Sequence, residues 1–60
     1  MGMLPKIDRA VFTIARHNDG WAVEHEGAYL DPSPNREDVI ASASRRARAA
    51  FAAGRAAQIL

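Results

Sequence analysis

The segment Pro32-Ser33-Pro34 divides the chain into two parts whose side-chain patterns belong to different secondary structures. Before it, apolar and polar residues alternate with the two-residue period of a strand, and after it small and apolar residues recur at the spacing of three and four residues typical of a helix. Proline removes a backbone donor, so strand pairing is predicted to stop at this segment. The pattern predicts an α+β domain, a β-meander followed by one long helix and a short last strand.

The first part predicts two strands and a short third one. Residues 9–16 are rich in β-branched and aromatic side chains, as strands are. Residues 17–20, with the sequence His-Asn-Asp-Gly, predict a tight turn because Asn, Asp and Gly tolerate positive φ angles. Residues 21–26 alternate as a second strand. Gly27 predicts a bulge or bend before a short third strand at 28–30.

The helix has recognisable ends. Asn35 is predicted as its N-cap, with Asp38 at the third helical position as the capping acid, and the alternative places Ser33 at the cap. Gly54 is predicted to end the helix, and residues 56–60 to form the last strand. The predicted sheet-facing stripe consists of Ile40, Ala43, Ala47, Ala50, Phe51 and Gly54.

The chain has room for one small domain. Residues 1–8 are predicted to be a flexible lead-in and residues 9–60 a single β-β-α-β domain. The lead-in lacks the apolar run of a signal peptide, and no stretch has the roughly 20 apolar residues needed to span a bilayer. With no cysteine in the sequence, the expected setting is a reducing cytoplasm, away from membranes.

A chain of 60 residues buries only a modest core, and chains this short usually need a disulfide, a metal or a partner to gain stability. Disulfides are excluded because cysteine is absent. We therefore expect a homodimer, with a different protein partner as a further possibility. The exposed apolar candidates for the dimer interface are Tyr29, Leu30, Phe51, Ile59 and Leu60.

Charge is unevenly distributed along the chain. All seven acidic residues precede residue 39, whereas half of the eight basic residues follow it. A nucleic-acid-binding domain is the alternative to the dimer, with phosphate contacts from Arg45, Arg46 and Arg48. The ordinary interpretation is a solvated helix face, neutralised in part by Glu24 and Glu26. Trp21 is predicted to be the central packing residue of the core rather than a platform for base stacking.

No catalytic, cofactor-binding or metal-binding residue is predicted, and the chain is not expected to be an enzyme. Its serines lack the Gly-x-Ser-x-Gly pattern of a nucleophile, and it has no phosphate-binding glycine loop. His17, His25, Asp19, Glu24 and Glu26 offer groups that zinc or nickel can bind, but a third nitrogen ligand is missing. Both histidines are interpreted as surface residues.

Several short patterns together resemble a known family. They are Phe12-x-Ile14, Asp19-Gly20-Trp21-x-Val23, Glu26-Gly27 and Asn35 to Ile40 opening an alanine-rich helix. Through these patterns, residues 12–60 resemble the small bacterial proteins of the domain of unknown function 2188 family. Members of that family usually continue past the last strand. The resemblance implies a fold and brings no established catalytic residues. A looser similarity exists to antitoxins with a degenerate ribonuclease-H-like domain.

Overall fold

A computed structural model describes residues 9–60, and the predicted lead-in at 1–8 lies outside the described residues. The elements in chain order are β1 (Arg9–His17), β2 (Gly20–His25), β3 (Ala28–Ser33), α1 (Arg36–Ala52) and β4 (Ala56–Ile59). The predicted α+β architecture, with a three-strand meander, one helix and a C-terminal strand, is confirmed.

The four strands form one mixed sheet in the order β3-β2-β1-β4. β1 pairs antiparallel with β2 and β2 antiparallel with β3, whereas β4 lies parallel to β1. A parallel neighbour requires a crossover connection, and α1 supplies it by crossing one face of the sheet. β3 and β4 are consequently the two edges of the sheet, about three strand spacings apart.

Two tight turns build the meander. Asn18 takes a positive φ of 54° in the first turn, where His17 pairs with Gly20. In the second turn both Glu26 and Gly27 have positive φ, 51° and 83°, which is the geometry of a type I′ hairpin. Gly27 therefore interrupts the chain between β2 and β3, as predicted, and it does so as part of a two-residue turn rather than as a bulge. The Glu24 carboxylate accepts a hydrogen bond of 2.8 Å from the Gly27 N–H and holds the turn closed.

β3 is longer than the sequence suggested. It continues through Pro32 to Ser33, which pairs with Trp21, so the prediction that Pro32 stops pairing was wrong. An edge strand tolerates proline because one side of its backbone has no partner to lose. The pairing of β3 with β2 is irregular opposite Asp31, whose φ is 53°.

The ends of α1 are set by local hydrogen bonds. Asn35 occupies the N-cap position, as predicted, but its side chain makes no capping hydrogen bond to the helix backbone. The Asp38 carboxylate accepts bonds of 3.2 Å from both the Ser33 hydroxyl and the Asn35 amide, which ties the first turn to the end of β3. At the other end Gly54 has φ 86°, and the N–H groups of Gly54 and Arg55 bond the carbonyls of Phe51 and Ala50 in a Schellman motif. This motif turns the chain directly into β4.

The hydrophobic core lies between α1 and one face of the sheet, and its members are Ala10, Phe12, Val23, Val39, Ala43 and Ala50. The largest fully buried side chains are only valines, Val23 and Val39. The sheet-facing stripe of the helix is rotated from the predicted one. Val39 and Ser42 are buried, Ile40 is only half-buried, and Phe51 faces solvent. Trp21 packs at the border of the core, half-buried, rather than at its centre.

Candidate interaction surface

The residues predicted as one dimer interface lie at two separate edges of the sheet. Tyr29 and Leu30 belong to β3, whereas Ile59 is in β4, Leu60 follows it, and Phe51 is on the adjacent helix. Leu30 packs against the core and is half-buried. Tyr29 is 50% exposed and stacks on His17, with ring centroids 4.5 Å apart. Tyr29 and Leu30 therefore cannot share a surface with the other three.

The backbone of β4 has one side turned to β1 and one side turned away. Leu60 donates its N–H to the Phe12 carbonyl at 2.9 Å and accepts a bond of 3.0 Å from the Ile14 N–H. Polar groups alternate in direction along a strand, so those of Ala57 and Ile59 point to the outer side. No strand among residues 9–60 pairs with that side. Four backbone groups per chain are thus available to a further strand.

Apolar side chains adjoin this open edge. Phe51 is 74% exposed and Ile59 is 40% exposed. A shallow groove of about 360 Å³ is lined by Ala47, Arg48, Phe51, Ala52 and Ala57, between the helix and β4. We call Ala47, Phe51, Ala57, Ile59 and the outer backbone of β4 the β4 surface. The register places Leu60, 62% exposed, beside Thr13 on the opposite face of the sheet.

Sequence reasoning missed Ala47 and Ala57 as members of this surface. Ala47 was assigned to the sheet-facing stripe and Ala57 only to a last strand. Both residues are half-buried, and both line the groove. The available signal was the spacing of Ile40, Ala47 and Phe51, which recurs at seven and four residues and marks one flank of a helix.

The three arginines predicted to contact phosphate are not equivalent. The Arg46 Nε donates a hydrogen bond of 2.7 Å to Asp31 in β3, and the Ser42 hydroxyl donates to the same carboxylate oxygen. Arg46 therefore makes a hydrogen bond within the chain, whereas Arg45 and Arg48 are exposed. The expected neutralising acids are also different, because Asp31 rather than Glu24 or Glu26 pairs with the helix.

The contact between Asp31 and the helix alters the ionisation of both partners. The hydrogen bond from Arg46, followed by that from Ser42, lowers the pKa of Asp31 from 3.8 to about 2. The same hydrogen bond raises the pKa of Arg46 above its ordinary value. Both side chains of this ion pair are 40% exposed, so water screens the attraction and its contribution is modest.

Trp21 forms a second cluster at the N-terminal end of α1. The guanidinium carbons of Arg16 and Arg36 lie 5.0 Å and 5.5 Å from the centre of its ring system, within the range of cation–π attraction. A shallow cleft of about 340 Å³ beside it is lined by residues 17–21 and 32–34. Both arginines contact the tryptophan ring, and the contact with Arg36 packs the start of α1 against β2.

The histidines occupy different places in the sheet. His25 stacks on Phe12 at 4.6 Å, and its Nδ1 lies 2.9 Å from the Val11 carbonyl oxygen. His17 stacks on Tyr29 instead. Among residues 9–60 no three His, Cys, Asp or Glu side chains are grouped so that they could hold a metal ion.

Two further findings concern membrane crossing and similarity to known proteins. Within the described part, α1 does not have the length and apolar character that crossing a bilayer demands. Comparison with protein-family models, curated proteins and solved structures gave no match. The resemblance to the domain of unknown function 2188 family accordingly rests on the sequence patterns alone.

Proposed function

We propose that this chain is a non-enzymatic interaction module that forms a homodimer by pairing β4 with β4 of a second copy. The observation that carries the proposal is the open, uncharged outer edge of β4 beside an exposed Phe51. An unpaired edge without charge or proline is a ready template for another strand. Pairing would join two four-stranded sheets into one continuous sheet.

The strand that pairs with β4 is proposed to be β4 of a second copy, because this gives a closed dimer. When the same edge of two chains pairs with itself, each copy presents an identical surface and a two-fold axis completes the dimer. Pairing of β4 with β3 of another copy would leave free edges and continue as a filament. β3 is the poorer template, because Pro32 has no N–H to donate and the positive φ at Asp31 makes the backbone irregular.

The register of the pairing follows from the direction of the backbone groups. Ala57 and Ile59 point outward, so in an antiparallel arrangement Ala57 exchanges both hydrogen bonds with Ile59 of the second copy, and the converse pair forms by symmetry. Gln58 then lies at the two-fold axis, opposite Gln58 of the second copy. The dimer contact would contain four backbone hydrogen bonds.

The helices of the dimer lie side by side on one face of the joined sheet, since the two-fold axis of antiparallel strands is perpendicular to the sheet. Each helix packs over the middle of its own sheet, near β1. Three strand spacings separate the two helices, about 14 Å, which exceeds the 8–10 Å of direct helix packing. Large side chains must fill this gap, and Phe51 at the rim of the groove is suited to do so.

The antiparallel course of the two helices also suits this arrangement, because it opposes their macrodipoles favourably.

The proposal is tested by light scattering after size exclusion. We expect the chain to elute with twice its mass of 6.5 kDa. Phe51→Asp should give the monomer with an unchanged circular dichroism spectrum, because Phe51 is 74% exposed and contributes little to the core. The matched control is Tyr29→Asp, at an exposed aromatic residue of β3, which should remain dimeric. A monomeric wild-type chain, or a Phe51→Asp variant that stays dimeric, would refute the proposal.

A further inference from the structure

We propose that the dimer binds the phosphate backbone of double-stranded DNA through Arg45 and Arg48 of both helices. This inference rests on the homodimer described above, since one helix alone supplies only half of the surface. Arg45 and Arg48 are three residues apart and exposed, so they are neighbours on the outer face of α1. We call the four arginines of the dimer the helix-layer arginines.

The second half of α1, which carries Arg45 and Arg48, contains no acidic residue. Every acidic residue of the chain precedes Val39, whereas α1 continues to Ala52. Arg46 is the arginine of this group that forms an ion pair, since Asp31 holds it at 2.7 Å on the β3 flank, whereas Arg45 attracts Asp31 without a hydrogen bond. Arg45 and Arg48 therefore keep a positive potential on the side of the helix away from the sheet.

Dimerisation brings the two pairs to one side of the molecule. Because the two-fold axis is perpendicular to the joined sheet, both helices cover the same face and both outer surfaces point in the same direction. The helix-layer arginines thus form two parallel rows of cations separated by roughly the 14 Å between the helices. This is a spacing over which one DNA duplex, with a major groove about 12 Å wide, can contact both rows.

The chemistry of the face favours a phosphate backbone over other anionic partners. Guanidinium groups match the phosphate geometry with two parallel hydrogen bonds. Between the arginines the outer face carries Ala41, Ala49 and Ala52, with no large apolar side chain to enter a lipid layer and no aromatic ring on which single-stranded bases could stack. Binding to double-stranded DNA requires neither feature, because contacts between positively charged side chains and the phosphates are enough for non-specific binding.

The test measures the salt dependence of binding to a 20-base-pair duplex of mixed sequence, by fluorescence anisotropy. Each phosphate contact contributes about −0.9 to the slope of log affinity against log salt concentration. Four arginine contacts predict a slope of about −3.6, equivalent to a 150-fold loss of affinity between 50 and 200 mM salt. The variant R45Q/R48Q should lose binding at 50 mM salt while remaining a dimer.

Two controls make the outcomes distinct. R16Q/R36Q removes the same charge from the cluster at Trp21 and should keep a slope near −3.6. The monomeric Phe51→Asp variant should give about −1.8, or a 12-fold loss over the same range. A dimer that does not bind the duplex at low salt, equal losses in both double variants, or binding to anionic vesicles in preference to the duplex would overturn this inference and leave the dimer standing. A wild-type monomer would overturn the dimer itself and with it the composite surface.

Discussion

The two edge strands of the sheet, β3 and β4, differ in how well they can pair with a further strand. β3 contains Pro32, which lacks an N–H, and Asp31, which has a positive φ and a charged side chain paired with the helix. β4 is short, uncharged and regular, and exposed apolar side chains flank it. Proteins commonly block sheet edges that must stay free. The contrast indicates that one edge of this sheet is protected against association and the other is open to it.

The largest expected effect comes from placing a charge on the open edge. Ile59→Lys puts an ammonium group on the β4 surface, where dimer formation would bury it without a partner. We expect the dimer to weaken by about 100-fold or more, which is close to 3 kcal/mol. Sedimentation equilibrium measures the change.

The control for this variant is Leu60→Lys, on the opposite face of the sheet, where Leu60 is 62% exposed and the added charge stays in water. Leu60→Lys should weaken the dimer far less than Ile59→Lys. Equal dissociation constants for the two variants would mean that the helix-side flank of β4 is not buried in the dimer.

A smaller effect is expected from removing the protection of β3. Pro32→Val restores a backbone N–H to that edge and should allow weak association beyond the dimer, visible as a mass that rises with concentration in light scattering. The matched control is Pro34→Val, since Pro34 lies outside β3. A Pro32→Val variant that stays strictly dimeric at all concentrations would show that proline is not what protects this edge.

The smallest effect concerns the ion pair that fixes β3 to the helix. Arg46→Met should reduce the free energy of unfolding at pH 7 by about 1 kcal/mol, because the pair is partly exposed. Urea titration measures this. Arg45→Met, which removes a neighbouring charge without a hydrogen bond to Asp31, should change stability by less than half as much.

The same pair predicts a pH dependence. The pKa of Asp31 is lowered from 3.8 to about 2 in the folded chain, so its contribution is present above pH 3.8 and is lost as the pH falls through about 2. Wild-type stability should therefore decline over this window more steeply than that of Arg46→Met. Parallel curves for the two proteins would contradict the assignment.

The sequence predicted the elements well because their signals are local. Alternation marked β1 and β2, Asn35 marked the start of the helix, and Gly54 marked its end. Local signals were insufficient where backbone geometry depends on a neighbour. Gly27 occupies a turn because Glu26 also accepts a positive φ, and Pro32 stays in a strand because β3 is an edge.

The candidate surface was only partly predictable for a related reason. Phe51, Ile59 and Leu60 were chosen as apolar residues with little core to cover them, and all three are exposed. Tyr29 and Leu30 were grouped with them because strand order cannot be read from spacing. The parallel pairing of β4 with β1 puts Tyr29 at the opposite edge.

Disulfide formation by Gln58→Cys tests the central claim most directly, because the chain has no other cysteine. At the two-fold axis residue 58 faces itself as a non-hydrogen-bonded pair, with Cα atoms about 4.5 Å apart, within the range of a disulfide. We expect mild oxidation to crosslink this variant completely, whereas Tyr29→Cys on β3 should crosslink slowly. Gln58→Cys that remains monomeric under oxidation, or crosslinks no faster than Tyr29→Cys, would contradict dimerisation through β4.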